Sequence, residues 1–350
     1  MTGISVIICC YNSAARLPAT LRHIAAQRTA GFEWEVVVVD NSSTDGTTEV
    51  ACQEWQRYGL AVPFRVVPES RPGLVFAREK GLASIRYELI LFCDDDNWLD
   101  ENYISTACAL MQDETIGVLG GLSLPVADVA LPAWFDTFGY AYACGPQADQ
   151  DGNVSADRLF IAGAGMVTRR KIYRQLADSH FTSQLTGRTG ADLSSGEDTE
   201  FSIVAALLGY RLVYSSQLVL QHYMDAKRLK WAYFLKLAKG HAQSGYKIDL
   251  YKQLYRKGEI NPSWFAYFQS SSNVRDSIYL LRRALRWWGM SARKSQLRVG
   301  DVAAVEAFTN VEIWKMHLRF RREYPIFVAD LNDLGRRLRY YQVIASTATT

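Results

Sequence analysis

Two short runs, ISVIICC (4–10) and EWEVVVVD (33–40), are apolar at nearly every position and rich in β-branched residues. A strand with one wet face alternates apolar and polar side chains, whereas these runs need cover on both faces, as in a parallel sheet between helices. Between them Leu17, Leu21 and Ile24 recur at helical spacing, giving a βαβ unit. The alternation continues with DGTTEVACQEWQRYG as helix, FRVVPE as strand, GLVFAREKGLASIR as helix and YELILFCDD as strand. The spacing therefore predicts an α/β fold with a Rossmann-like, mostly parallel central sheet flanked by helices. In such sheets ligands sit outside the carboxyl ends of the strands.

Further along, IGVLGGLSLPV reads as a strand, and residues 125–158 as an irregular loop of Pro, Gly and aromatics. LFIAGAGMVTRRKIYRQL then reads as strand, glycine turn and helix, and SSGEDTEFSIVAALLGYRLVYSSQLVLQHYM as polar loop, helix and strand. From about Asp225 the pattern becomes helical and rich in Arg, Lys, Trp and Tyr. We divide the chain into residues 1–225, with halves at about 1–100 and 101–225, and an α-helical extension, 226–350. Charge follows the division: 16 Lys and Arg face 27 Asp and Glu through residue 225, and 23 face 9 beyond it.

The extension holds five of the nine tryptophans. Within RDSIYLLRRALRWWGM, Ile278, Leu281, Leu285 and Trp288 share a helical stripe beside Arg275, Arg282 and Arg286. That pattern suits an interfacial helix on an anionic membrane surface. The same stripe equally suits packing against residues 1–225 or pairing in a homodimer. No nucleic-acid-binding motif accompanies the basic residues, so nucleic acid is not expected as a partner. The six cysteines form no CxxC pair and read as small buried hydrophobes in a reducing compartment. No apolar stretch reaches about 18 residues, and the start lacks a basic leader. A cytoplasmic protein is expected, soluble or peripheral on the inner face of the cell membrane.

The chemistry concentrates at strand ends. LFCDDDNWLD places Asp94, Asp95 and Asp96 directly after an apolar run, with Asp40 ending a neighbouring one. Asp94 and Asp96, displayed on a rim, suit a hydrated Mg²⁺ or Mn²⁺ whose shell phosphate oxygens complete. Read alone, DDDN is equally a solvated turn. Glu197-Asp198 opens a helix, where the pair is either a cap or a catalyst. Arg71 and Arg78, beside the helix starting near Gly73, suit bidentate phosphate contacts or an ordinary solvated surface.

In order, ISVIICCYNSAARLPATL, VVVVDNSSTDGT, ESRPGLVFAREKGL, LILFCDDDNWLDENYI, LFIAGAGMVTRR and GEDTEFSIVAALLGYRL resemble the motifs of family 2 inverting glycosyltransferases of the GT-A fold. The resemblance spans roughly residues 3–225. It implies a nucleotide-sugar half, about 1–100, and an acceptor half, about 101–225. It further implies that Asp40 bonds the nucleotide base beside the Tyr11-Asn12 turn, and that Arg78 lies near base and diphosphate. Asp94 would lie by the ribose and metal-bound water, and Asp96 would ligate Mn²⁺ or Mg²⁺. Asp198 would be the catalytic base, with Glu197 supporting the acceptor or orienting the base. His222, in LQHYM, matches a position facing metal or phosphate; a core or surface histidine fits it equally.

The implied activity is metal-dependent, inverting transfer of a sugar from a nucleotide diphosphate sugar to an acceptor hydroxyl on a glycan, lipid-linked molecule or other acceptor, in bacterial-type surface glycan synthesis. Cys9-Cys10 depart from the family's proline and small polar residue, Lys80 replaces a frequent asparagine, and Asp95 is an extra carboxylate. Either Asp94 or Asp95 could serve the ribose. A nucleotidyltransferase is the rival enzyme, though it would carry a Gly- and Lys-rich phosphate loop near its start. A catalytically idle membrane-associated scaffold would have lost Asp40, Asp96 or Asp198, and all three are present.

Overall fold

A computed structural model describes residues 3–29, 31–185, 196–264 and 299–347, with side chains described through 341. The amphipathic stripe at 275–288 lies outside the described residues, so its membrane reading is neither supported nor opposed by the fold.

The sheet begins as the sequence predicts. Strands β1 (Gly3–Cys10), β2 (Glu33–Asp40), β3 (Phe64–Pro68) and β4 (Leu89–Asp94) are all parallel, in the order β3-β2-β1-β4. Helices α1 (Leu17–Ala25), α2 (Thr47–Arg57) and α3 (Leu74–Ser84) make the crossovers. The two-residue period of β1 explains its continuous apolarity. Ile4, Val6, Ile8 and Cys10 enter one hydrophobic cluster with Leu17, Leu21 and Ile24 of α1, while Ile7 enters another on the opposite face. Each apolar residue of the run thus has its own core to fill, and full burial of such a side chain contributes about 1.5–3 kcal/mol.

Beyond β4 the sheet changes character. Short β8 (Val167–Arg169) pairs antiparallel with both β4 and β6 (Ile116–Val126), and β6 runs parallel to the long β9 (Arg211–Tyr223). Strand β5 (Asn97–Leu99) closes that edge on β9, and β7 (Gly152–Asn153) also pairs with β9. The predicted strand in LFIAGAG is corrected here: those residues are irregular, and β8 follows the glycine turn. Gly165 needs φ +70°, and its backbone carbonyl is held by the hydroxyl of buried Tyr103, so the chain is turned before the strand can form. Helices α4 (Tyr103–Leu110), α6 (Arg170–Asp178) and α7 (Glu197–Leu207) cover the sheet, and the loop after β6 contains a short helix, α5 (Phe135–Phe138).

The helical region after β9 is α8 (Trp231–Lys257), α9 (Val302–Phe320) and α10 (Tyr324–Thr347). Tyr246, Leu250, Tyr251 and Leu254 of α8 share one apolar cluster with Ile203 and Leu207 of α7 and with Leu331, Leu334 and Leu338 of α10. A separate aromatic cluster joins Trp134, Phe135 and Phe138 to Phe234. These contacts pack the described helices of the extension on the first unit; the readings that rest on the stripe at 275–288 lie outside the described residues. Among the described residues, no helix is long and apolar enough to cross a membrane.

One glycine fixes how β6 meets β9. A Cβ on Gly121 would stand 2.0 Å from the Leu218 carbonyl oxygen, at a register irregularity between Gly120 and Leu122. Backbone on both sides cannot yield, so Gly121→Ala is expected to cost at least about 1–3 kcal/mol. Gly245→Ala, on α8 with open space around it, is expected to be neutral or to stabilise by about 0.5–1 kcal/mol. Guanidinium denaturation midpoints of the two variants, shifting in opposite directions from the native value, check the contrast.

Candidate active site

The carboxyl ends of β1 and β4, the glycine turn before β8, the start of α7 and the inner face of α8 surround a cleft of about 870 Å³. Tyr11, Arg78, Asp94, Asp95, Asp96, Glu197, Asp198 and His222 all line it, so eight of the predicted site residues converge. Asp40, Asn12 and Arg71 are not among the lining residues.

Each of those three is engaged elsewhere. The Asp40 carboxylate accepts from the Ser43 amide (2.9 Å) and the Thr48 hydroxyl (2.5 Å), closing the turn into α2, and its neighbour Asn41 lines the cleft instead. Asn12, at φ 49°, uses its side-chain oxygen to accept from the Thr44 amide (2.8 Å), joining the two strand-end loops. Arg71 is half exposed, grips Glu69 through two nitrogens (3.0 and 2.9 Å) and stacks over Phe76.

Asp95 is also diverted, which separates the roles of the aspartate triplet. Its carboxylate receives both Nε (2.8 Å) and Nη2 (2.7 Å) of Arg16 and the Ser13 hydroxyl, and its carbonyl accepts from Thr20 (2.8 Å). Burial pushes its pKa up to about 6 against the pull of Arg16. Asp95 therefore ties the β4 end to α1, while Asp94 and Asp96 line the cleft with other partners. The charge of Asp94 acts on both Arg78 and Arg228.

Asp96 faces a cation that the sequence reading did not anticipate. Its Oδ2 accepts from Arg228 Nη1 at 2.6 Å, and its Oδ1 lies 3.5 Å from His222 Nε2. Burial alone would raise the Asp96 pKa, but His222 and Arg228 outweigh it and hold the carboxyl below its ordinary range. His222 Nδ1 donates to the Tyr142 carbonyl (2.9 Å), which directs Nε2 at the carboxylate. A carboxylate oxygen and an imidazole nitrogen so placed are the ligand types that could hold a divalent cation, with the ring oriented by its second nitrogen. Among the described residues no third His, Cys, Asp or Glu joins them, so water and phosphate oxygens would complete the shell. The pair fits a metal provided that Arg228 gives up its place on Asp96. Arg228 lies six residues beyond His222 across a turn, a separation with no periodic signature, which is why the sequence hid it.

Across the cleft, Asp198 is held by its backbone surroundings. Its Oδ2 accepts from the Gly163 amide (2.8 Å) and its Oδ1 from the Thr199 amide (2.7 Å). A Cβ on Gly163 would stand 3.2 Å from the Arg78 guanidinium and 3.4 Å from Asp198, so the glycine lies where these two side chains approach. Glu197 pairs with Arg78 at 3.5 Å, and that guanidinium also sits 5.2 Å from the Phe92 ring centre. The Arg78 pKa is raised: Glu197 and Asp94 overcome the opposing effect of burial. The Cys9 thiol at the cleft floor is pushed up by burial to about 12 and stays un-ionised, consistent with a packing role.

A cleft that gathers Arg78, Arg228 and these carboxylates can seat a diphosphate on its cations with Asp198 in the same chamber. The sequence model described as "Glycosyl transferase family 2" matches residues 5–177. An N-acetylglucosaminyltransferase of Mesorhizobium japonicum is 27% identical over 222 residues, 62% of this chain and 50% of that protein. A cholesterol galactosyltransferase of Borreliella burgdorferi is 28% identical over 101 residues, 29% of this chain and 27% of that protein. The chain thus spans about a quarter to a half of these curated relatives. Among solved structures, the Pyrobaculum calidifontis mannosyltransferase PcManGT in complex with GDP-Man and Mn²⁺ aligns with TM-score 0.55 and 17% identity, over 97% of this chain and 86% of that one. S. aureus TarS 1–349 in complex with UDP-GlcNAc aligns with TM-score 0.50 and 18% identity, over 97% and 91%. These two likenesses speak to the fold.

Proposed function

The chain belongs to glycosyl transferase family 2, and from that premise we propose that it transfers a sugar from a nucleotide diphosphate sugar to an acceptor hydroxyl with inversion at the anomeric carbon. The observation that carries this reading is the convergence of Asp198 with Asp94, Asp96, Arg78 and Arg228 on one cleft. Transfer needs positive charge where the nucleoside diphosphate leaves and a base where the hydroxyl attacks, on opposite faces of the sugar. Arg78 and Arg228 supply the first. Asp198 supplies the second: both of its oxygens are fixed by backbone amides, so it meets the hydroxyl without first reorganising. Glu197 acts through its pair with Arg78, positioning the guanidinium.

Asp96 and His222 would hold a Mg²⁺ or Mn²⁺, and that ion, when bound, adds Lewis-acid stabilisation to the departing diphosphate. The other proposed parts of the reading are donor contacts at Tyr11 and Asn41, which line the cleft mouth, and a role in surface glycan or glycoconjugate synthesis. A thermal-shift panel of UDP-, GDP- and dTDP-sugars with Mn²⁺ or Mg²⁺ tests the assignment. One nucleotide class is expected to raise Tm by several degrees, as a ligand at 100 times its Kd contributes about 2.7 kcal/mol. No shift with any of them would overturn the reading.

A further inference from the structure

Arg158 and Phe160 line the cleft together with the inner face of α8, and positive charge gathers around that ring. The Arg158 guanidinium lies 4.1 Å from the Phe160 ring centre, and the Lys252 ammonium 5.7 Å from the same ring. Two cations around one ring repel each other, and each gains only a modest cation–π attraction in return. Among the described residues, buried Arg158 Nε has no hydrogen-bond partner. Burial and the charge of Arg256 lower the Lys252 pKa against the pull of Asp249, and Arg158 adds to the lowering.

Asp249 acts on Lys252 and Asp198 on Arg158 as opposite charges, yet burial leaves the pKa of each cation lowered. Asp249, on the same helix as Lys252, accepts from the Gln253 amide at 2.9 Å. Asp198 acts on Arg158 through space, but both of its oxygens already accept backbone amides. Partly desolvated cations left in this state are stabilised by an incoming oxyanion, and a planar guanidinium matches phosphate and carboxylate geometry in particular.

The location decides whose anion it is. Arg158 and Phe160 run directly into the Ala162-Gly163 turn whose Gly163 amide donates to Asp198, whereas Arg228 sits with Asp96 and Asp94 at the strand ends. We propose that Arg158, which lines the cleft beside Phe160, binds an oxyanion carried by the acceptor, a phosphate or a carboxylate, with Lys252 adding positive charge near the same ring, and so presents the acceptor hydroxyl to Asp198. This deepens the glycosyl-transfer reading and rests on it.

The test titrates the full chain, saturated with whichever nucleoside diphosphate it binds, with glucose 6-phosphate, glucuronate and glucose by calorimetry. Both anionic sugars are expected to bind at least about tenfold more tightly than glucose, with the stronger of the two identifying the oxyanion. Arg158→Gln and Lys252→Gln should each remove about tenfold of that preference while leaving nucleotide affinity within about twofold. Equal affinity for glucose and the anionic sugars, no binding of either anion by the native chain, or anion binding unchanged in both variants would overturn the proposal. Failure of every nucleotide to bind would instead count against the glycosyl-transfer reading, and the Arg158 dependence, titrated without nucleotide, is then read by itself.

Discussion

Asp198→Asn is expected to bind the nucleotide sugar with native affinity and to lose about two to four orders of magnitude in transfer rate, the range that a positioned general base contributes. The amide has the shape of the carboxylate but cannot accept a proton from an attacking hydroxyl. One of its two positions is also now a donor facing a donor: the carboxylate serves the Gly163 and Thr199 amides together, and asparagine can serve only one. The cost of that lost acceptor, about 1–3 kcal/mol, falls on stability and on the order of the turn. Single-turnover kinetics separate the two effects, since donor affinity and the chemical step are read apart. Asp198→Glu controls for charge, keeping the base but displacing it. Unimpaired single-turnover chemistry in Asp198→Asn would remove Asp198 from the mechanism whatever its place in the cleft.

Arg228→Ala is expected to be the most destabilising change at the diphosphate end. Arg228 and Asp96 have side chains only 16% and 11% exposed, and removing one partner of a buried ion pair typically costs 3–5 kcal/mol. His222 still faces the carboxylate, so about 3 kcal/mol is the expected loss, read as a fall in Tm and in denaturant midpoint. The same substitution uncovers the Asp96 and His222 atoms that a divalent cation would use. Mn²⁺ added without nucleotide should therefore raise the Tm of Arg228→Ala more than that of the native chain. With nucleotide present the order should reverse, because the variant has lost a diphosphate contact. An equal response to Mn²⁺ in both chains would show that Arg228 does not compete for this site.

The strands of the first half were legible because burial on both faces leaves a compositional mark: β1 and β2 are apolar at positions of either parity. The end of β4 was legible for a complementary reason, since carboxylates following such a run can be placed only at a rim. What composition does not reveal is which oxygen goes where. Asp40, Asp94, Asp95 and Asp96 are chemically alike, yet Thr48, Arg16 and Arg228 divert three of them to different partners, and those partners lie 8, 79 and 132 residues away. The glycine turn at Gly163 and Gly165 was recognised, but not that it precedes its strand, because the deciding contact is the hydroxyl of Tyr103, distant in the chain. Arg16, Arg158 and Arg228 were missed together. An arginine acquires a role from what surrounds its far end, and a long flexible side chain carries no periodicity that would announce it.

The placement of α8 has a consequence for how such an enzyme could diversify. His241, Ser244 and Ile248 of this helix form part of the cleft wall, yet they lie outside residues 5–177 that match the family. One inner surface of the cleft is therefore contributed by chain beyond the family match. Under the proposed transfer, exchanging side chains there is expected to change the recipient while the source of sugar stays the same.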